Sequence, residues 1–256
     1  MNGFQQHAFA INPGNPINTF VLPFVFSDKV KEAVESIWKC FNPAEHRLIL
    51  IDNSSEDFKD KKWLEDNSHL YIRAYRNLGP AVAFNLGIQI ARTEFVTCFS
   101  DDARMINSFW FNYALQKMSE EQIRQSKIEN YQPLILSATS IYPQKVEDNE
   151  FYDPLKEYSE IEYNELCKKY EALVDIFGLA CAIGKKEAWI QAGFFNEEAY
   201  IYWIDGKFMA QANNLGVLTQ SSGVVFHYGD SSHKGRLVEE GKYQDIGKLE
   251  EGRLVL

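Results

Sequence analysis

Apolar positions in this chain fall into two rhythms, short continuous runs and a helical recurrence, and their alternation predicts strands joined by crossover helices. Thr19 to Phe26 is an apolar and aromatic run interrupted only by Pro23. Pro23 lacks an N–H, so it suits a strand end or a place where pairing stops. Val30, Ala33, Val34, Ile37 and Phe41 then recur at helical spacing across Asp28 to Phe41, and Asn42-Pro43 ends the pattern. Arg47 to Asp52 is a continuous apolar run ending in the turn residues Asn53, Ser54 and Ser55, as a buried parallel strand meets a loop at its carboxyl end.

The unit repeats with a strand over Leu70 to Ala74, a turn at Asn77-Leu78-Gly79-Pro80, a helix over Pro80 to Arg92 and a strand over Glu94 to Phe99. Pro80 is placed as the first helical residue, where its missing N–H costs nothing. Such alternation predicts an α/β fold with a mostly parallel sheet covered on both faces, whose ligands bind beyond the carboxyl ends of the strands. Two polar clusters lie there, Asp52 to Ser55 and Ser100 to Arg104. From Ser119 to Ala172 the chain is acidic and Tyr-rich and reads as inserted helices and loop. It becomes apolar again through Gly178 to Ile183, Trp189 to Phe195 and Tyr200 to Trp203. Leu218 to Phe226 reads as a final strand, and the charged tail from His227 as a loop or helix on the active face.

Composition narrows the function classes. The 256 residues are 45% hydrophobic, enough to fill a sizeable core. A net charge of -10 disfavours a broad footprint on nucleic acid. The start has no basic segment leading into an apolar core, and no run approaches the roughly 18 apolar residues of a membrane span, so a cytoplasmic location is expected. Cys40, Cys98, Cys167 and Cys181 form no CxxC pair and read as reduced, mostly buried thiols.

Each polar cluster has two readings. Asp101-Asp102 is a solvated turn, or a pair of hard oxygen ligands for Mg²⁺ or Mn²⁺, which take the rest of their shell from water and a diphosphate. Asp52-Asn53-Ser54-Ser55 is a common Asx turn, or the place where a carboxylate meets a base or ribose. His227 is a satisfied histidine, or a metal or phosphate ligand. Its spacing to His233 does not suit a helical metal pair.

Five strings in order carry a resemblance that favours the functional readings. FVLPFVFSD, RLILIDNSSED, RNLGPAVAFNLGIQIARTEFVTCFSDDARM, GFFNEEAYIYWIDGKFMAQANNLG and VVFHYGDSSHKG together resemble glycosyltransferase family 2 over roughly residues 17 to 235. The resemblance implies a GT-A fold, Rossmann-like, with an inserted helical and loop acceptor region. It implies one domain over 1–256, with a nucleotide-sugar half at 17–118, an insert at 119–176, an acceptor half at 177–235 and a tail at 236–256. Two departures from the family pattern are visible. The usual Asp-x-Asp is here Ser100-Asp101-Asp102, which leaves Asp102 aligned with the metal-binding position, and the usual Glu-Asp before the acceptor helix is Ile204-Asp205.

In that resemblance Asp52 and Asn53 lie by the nucleoside, with Pro23 and Phe24, or Phe26, against the base. Arg76, Asn77, Gly79, Asp101, Arg104 and Lys234 complete the nucleotide-sugar site, Asp102 and His227 hold a divalent cation (Mn²⁺ or Mg²⁺), and Asp205 is the catalytic base. Tyr200, Tyr202 and Trp203 are either sugar-stacking or core aromatics. The implied reaction is a single inverting transfer from a nucleoside-diphosphate sugar, UDP-sugar favoured, to a saccharide or other hydroxyl acceptor. The processive-synthase signature and its membrane helices are not apparent. Two rivals stay open: a nucleotide-sugar-binding scaffold with eroded acidic motifs, and a transferase acting on a modified nucleic-acid base, supported only by Lys234, Arg236, Lys242, Lys248 and Arg253. A nucleotidyltransferase would need a Gly-rich loop after the first strand, which is not found.

Overall fold

The computed structural model describes residues 4–8, 16–25, 29–54, 59–125, 132–141, 158–170, 178–197 and 204–227. Its strands join one nine-stranded sheet in the order β1-β4-β3-β2-β5-β8-β7-β9-β6. The first half contains β1 (Phe4–Ala8), β2 (Asn18–Phe24), β3 (His46–Asp52), β4 (Leu70–Ala74), β5 (Phe95–Phe99) and β6 (Ala103–Arg104). The second half contributes β7 (Leu134–Ile141), β8 (Cys181–Lys185) and β9 (Leu218–His227). Parallel pairing joins β3 to β2 and β4, β2 to β5, and β7 to β9, while β1, β6 and β8 run antiparallel to their neighbours. The carboxyl ends of β2, β3, β4, β5, β7 and β9 therefore share one edge.

The helices cover both faces, as the alternating pattern requires. Helices α1 (Val30–Cys40), α2 (Lys61–Asp66), α4 (Phe109–Gln125) and α5 (Glu160–Tyr170) share one apolar core with Phe20, Leu22 and Leu50. On the other face, α3 (Gly79–Ile90), α6 (Lys186–Gln191) and α7 (Ile204–Asn214) share a second core with Val21, Ile49 and Ile51. Alternate residues of β2 and β3 thus feed two separate cores, each strand burying both faces. Pro23 sits where the sequence suggested, since pairing of β2 with β5 stops at Val21 while pairing with β3 continues to Phe24. Cys98, Cys167 and Cys181 are buried, and Cys40 is half-buried.

The stretch read as an insert of helices and loop needs correction. It does contain α5, but it also contains β7, which lies inside the sheet between β8 and β9. The polar residues Ser137, Thr139 and Ser140 broke the apolar run that would have marked it. Two of them are satisfied within the sheet, where the Ser137 hydroxyl accepts from Gly178 N–H at 3.2 Å and the Thr139 and Ser221 hydroxyls pair at 2.9 Å. Polar Phe4–Ala8, α2 and the two-residue β6 also had no recognisable apolar signal. Tyr200, Tyr202, Trp203 and the tail from 228 lie outside the described residues.

Strand β9 carries a β-bulge. Its register against β7 passes from Ser137↔Ser221 to Thr139↔Val224, and Gly223 takes φ 76° at the extra residue. A Cβ on Gly223 would lie 2.5 Å from Trp110 Cδ1, so only glycine fits. Trp110 Nε1 donates to the Ser222 carbonyl at 3.2 Å, and the Tyr163 hydroxyl accepts from Val224 N–H at 3.1 Å. Helices α4 and α5 thereby fix where the end of β9 falls.

Two buried histidines couple the fold to pH. His46 is ringed by Phe20, Phe41 and Phe111, and its Nδ1 has no hydrogen-bond partner among the described residues. His69 Nδ1 accepts from Leu48 N–H at 3.2 Å, so its Nε2 is the protonated nitrogen and donates to the Pro43 carbonyl at 3.1 Å. Burial lowers both pKa values from the ordinary 6.5. The folded state prefers the neutral rings, so their contribution is complete above pH 6.5 and declines as the pH falls below it. The melting temperature should therefore drop between pH 6.5 and about 5, before most carboxylates titrate, and His46→Phe should flatten that slope. A parental slope in the variant would remove His46 from this account.

Candidate active site at the carboxyl edge of the sheet

Register aligns the candidate residues. Phe24, Asp52 and Arg73 form one row across β2, β3 and β4, and Asn53 N–H donates to the Phe24 carbonyl at 2.9 Å. Asp52 is fully buried and well supplied with donors. Its Oδ1 accepts from Ser54 N–H at 2.7 Å, and its Oδ2 accepts from the Tyr71 hydroxyl at 2.5 Å with Arg73 Nε 3.7 Å away. Burial, and then the hydrogen bond to Asp52, push the Tyr71 hydroxyl well above its ordinary range, so it remains a donor. Asp52 thus closes the turn after β3 from inside. Phe24 is 2% exposed and belongs to the core beside Tyr71, their rings 6.4 Å apart.

Asn53 bridges to the start of α3. Its Nδ2 donates to the Gly79 carbonyl at 3.4 Å, which assigns the amide orientation and leaves Oδ1 a buried acceptor without a partner among the described residues. Gly79 needs its φ of 79°, and its N–H is capped by Asn77 Oδ1 at 2.9 Å. Arg76 is exposed on the same rim. Pro23, Asp52, Asn53, Asn77 and Gly79 are therefore neighbours along the carboxyl ends of β2, β3 and β4. Lys234 and Phe26 lie outside the described residues.

The second cluster forms where β5 ends. Ser100 N–H donates to the Ala180 carbonyl at 3.0 Å and Ala103 N–H to the Ser100 carbonyl at 3.1 Å, so Asp101 and Asp102 occupy the middle of a tight turn. Strand β6 then pairs Ala103 with His227 and Arg104 with Phe226. His227 Nε2 consequently lies 3.1 Å from Asp102 Oδ1, which also accepts from Ser100 Oγ at 2.5 Å. The two residues chosen as cation ligands are in contact. Arg104 points elsewhere: its guanidinium is buried against Glu32 and the backbone of its own loop.

Asp205 lies in the first turn of α7, half-buried, with Ile204 and Phe208 anchoring the helix in the core. Before it, Asn85 of α3 accepts from Phe195 N–H at 2.8 Å and donates to the Phe195 carbonyl and to Glu197 Oε1 at 2.9 and 3.1 Å. The segment leading to α7 is thereby tied to the helix that starts at Gly79. Sequence reasoning missed Tyr71, Arg73 and Glu32. Tyr71 and Arg73 could have been found from period two, since they share one face of β4 beside the strand that ends at Asp52.

Comparison with known proteins bears on the family likeness and on the fold. Residues 20–129 match the family model described as Glycosyl transferase family 2, a span from β2 past the Asp101-Asp102 turn. Over that span the chain is similar to glycosyltransferase family 2, the family its motifs resemble. Its fold is that of the GT-A glycosyltransferases. Staphylococcus aureus TarS is 16% identical with TM-score 0.55, over 82% of this chain and 36% of that one. The mannosyltransferase PcManGT from Pyrobaculum calidifontis, in complex with GDP-Man and Mn²⁺, is 14% identical with TM-score 0.58, over 86% of this chain and 59% of that one. TarS 1-349 in complex with UDP is 15% identical with TM-score 0.52, over 82% of this chain and 60% of that one. This chain spans between about a third and three fifths of those lengths. No curated protein matches it significantly. No described helix is long and apolar enough to cross a membrane.

Tyr71→Phe tests the inner support of Asp52. A buried acceptor that loses its donor costs about 1–3 kcal/mol, so the urea midpoint should fall by that equivalent. An unchanged midpoint would mean that the hydroxyl contributes nothing to holding the turn.

Proposed function

We propose that this protein is a divalent-cation-dependent, inverting glycosyltransferase that moves one sugar from a nucleoside-diphosphate sugar to an acceptor hydroxyl. The observation that carries this reading is the meeting of Asp102 with His227, 125 positions apart, on the edge that also holds Asp52, Asn53 and Gly79. The donor half spans 17–118 and the acceptor half 177–235. A UDP-sugar is the favoured donor, supported by the UDP complex of TarS, with GDP-Man in PcManGT as the alternative nucleotide. Four free thiols are compatible with the cytoplasm.

The donor set fits a small hard cation. A carboxylate oxygen and an imidazole nitrogen converge at Asp102 and His227, and among the described residues no third carboxylate, thiol or histidine joins them. Such a site leaves most of the coordination shell to water and diphosphate oxygens, as Mg²⁺ and Mn²⁺ require. Bound there, the cation would offset the charge that develops on the departing diphosphate.

The chain's own residues supply the rest. Asn53 Oδ1 offers an acceptor to the nucleoside, and the Asn77-Gly79 turn places the start of α3 beside it. Arg76, exposed on the rim, and Lys234 add positive charge for the diphosphate. Asp205 takes the acceptor's proton as the acceptor oxygen bonds to the anomeric carbon. The bond from that carbon to the diphosphate oxygen breaks on the opposite face, and the nucleoside diphosphate leaves with the electron pair. The configuration at the sugar inverts.

Two variants separate the steps. Asp102→Ala should abolish the Mn²⁺-dependent part of donor hydrolysis in a chain that still melts cooperatively; parental Mn²⁺ dependence would refute the metal assignment. Asp205→Asn keeps shape but removes the basic oxygen, so donor affinity should hold within a few-fold while transfer falls by about two orders of magnitude or more. Transfer at the parental rate would move the base to Glu197 or Glu198.

A further inference from the structure

Arg104 has a buried guanidinium committed to two elements at once. Its side chain is 5% exposed, and Nη2 and Nε donate to Glu32 Oε2 at 2.7 and 3.2 Å. Nη1 donates to the carbonyls of Ala103 at 2.7 Å and Asp101 at 3.3 Å. One helical turn along α1, Ser36 Oγ accepts from Met105 N–H at 3.0 Å while donating to the Ala33 carbonyl at 2.7 Å. Glu32 and Ser36 are four apart and share a helix face. That face grips the chain at Arg104 and at Met105, immediately after the Asp101-Asp102 turn.

A guanidinium stays charged at any physiological pH, and withdrawing it from water is unfavourable unless it is paired and hydrogen-bonded. Here the pairing anion comes from α1, outside the turn, and the remaining donors hold the turn's own carbonyls. Two consequences follow. The planar fork fixes the backbone that carries Asp101 and Asp102, and the Glu32 carboxylate offsets a positive charge that would otherwise oppose a cation bound next to it.

We infer that Glu32 and Arg104 form a clasp through which α1 positions the Asp101-Asp102 turn and preserves its affinity for a divalent cation. Arg104 is then a positioning residue and not a contact of the diphosphate. The inference rests on the proposed role of Asp102 as a metal ligand.

The test pairs two readouts on the full chain, amide hydrogen exchange at Ala103 and Met105 without metal, and Mn²⁺ affinity measured by calorimetry with UDP or GDP present. Glu32→Gln should speed exchange at both amides and weaken Mn²⁺ binding by about tenfold, the range for residues that orient a metal ligand. Arg104→Lys should speed exchange equally, because it keeps the charge and loses the fork. The double variant Glu32→Gln, Arg104→Lys should weaken Mn²⁺ no more than Arg104→Lys alone, since partners in one interaction are not additive. Unchanged exchange in Glu32→Gln would overturn the clasp, and faster exchange with parental Mn²⁺ affinity would overturn its link to the metal. A parental chain that binds no Mn²⁺ with either nucleotide would overturn the metal reading of Asp102 and this inference with it, while exchange would still report on the clasp.

Discussion

For an imidazole at the end of one strand to meet a carboxylate in the turn after another, β9 and the chain beyond β5 must be held at a fixed offset. The 3.1 Å contact between His227 and Asp102 depends on that offset, and several separate features enforce it. Gly223 provides a positive φ that inserts one extra residue into β9, and Trp110 and Tyr163 hold the displaced backbone by hydrogen bonds. The short β6 then locks Ala103 against His227. Each device lies in a different part of the sequence, so the site is a product of the complete sheet.

The other end of the edge is organised around the buried carboxyl group of Asp52. A carboxyl group withdrawn from water needs hydrogen-bond partners, and Ser54 N–H and the Tyr71 hydroxyl donate to Asp52 from its own turn and from the next strand, with Arg73 Nε 3.7 Å away. This satisfaction shapes the turn that carries Asn53, whose Oδ1 is a buried acceptor without a partner among the described residues. Asp52, which the sequence offered as a ligand contact, acts as internal support, and its neighbour Asn53 carries the acceptor that has no partner among the described residues.

Much of this was legible in the sequence because the decisive signals are local. The runs of β2, β3, β4 and β5, the period of α1 and the Asn77 to Pro80 turn are set by neighbouring residues, and they appear where the pattern placed them. So does the convergence of Asp52, Asn53, Asp102 and His227 on one edge, which follows from strand direction alone. What escaped depends on distant partners. Strand β7 reads as polar because its hydroxyls are satisfied by Gly178 and Ser221, and the turn of Arg104 away from the cleft is decided by Glu32, 72 positions earlier.

The central claim is that this edge binds a nucleoside diphosphate together with a divalent cation. The most direct measurement is the melting temperature of the full chain with UDP, GDP, CDP and ADP, each with Mn²⁺ and each with a chelator. A ligand at a hundred times its dissociation constant stabilises the folded state by about 2.7 kcal/mol, a shift of several degrees. The account predicts such a shift for UDP or GDP with Mn²⁺, largely lost with the chelator. No shift with any of the four nucleotides, or an equal shift with and without the metal, would contradict it.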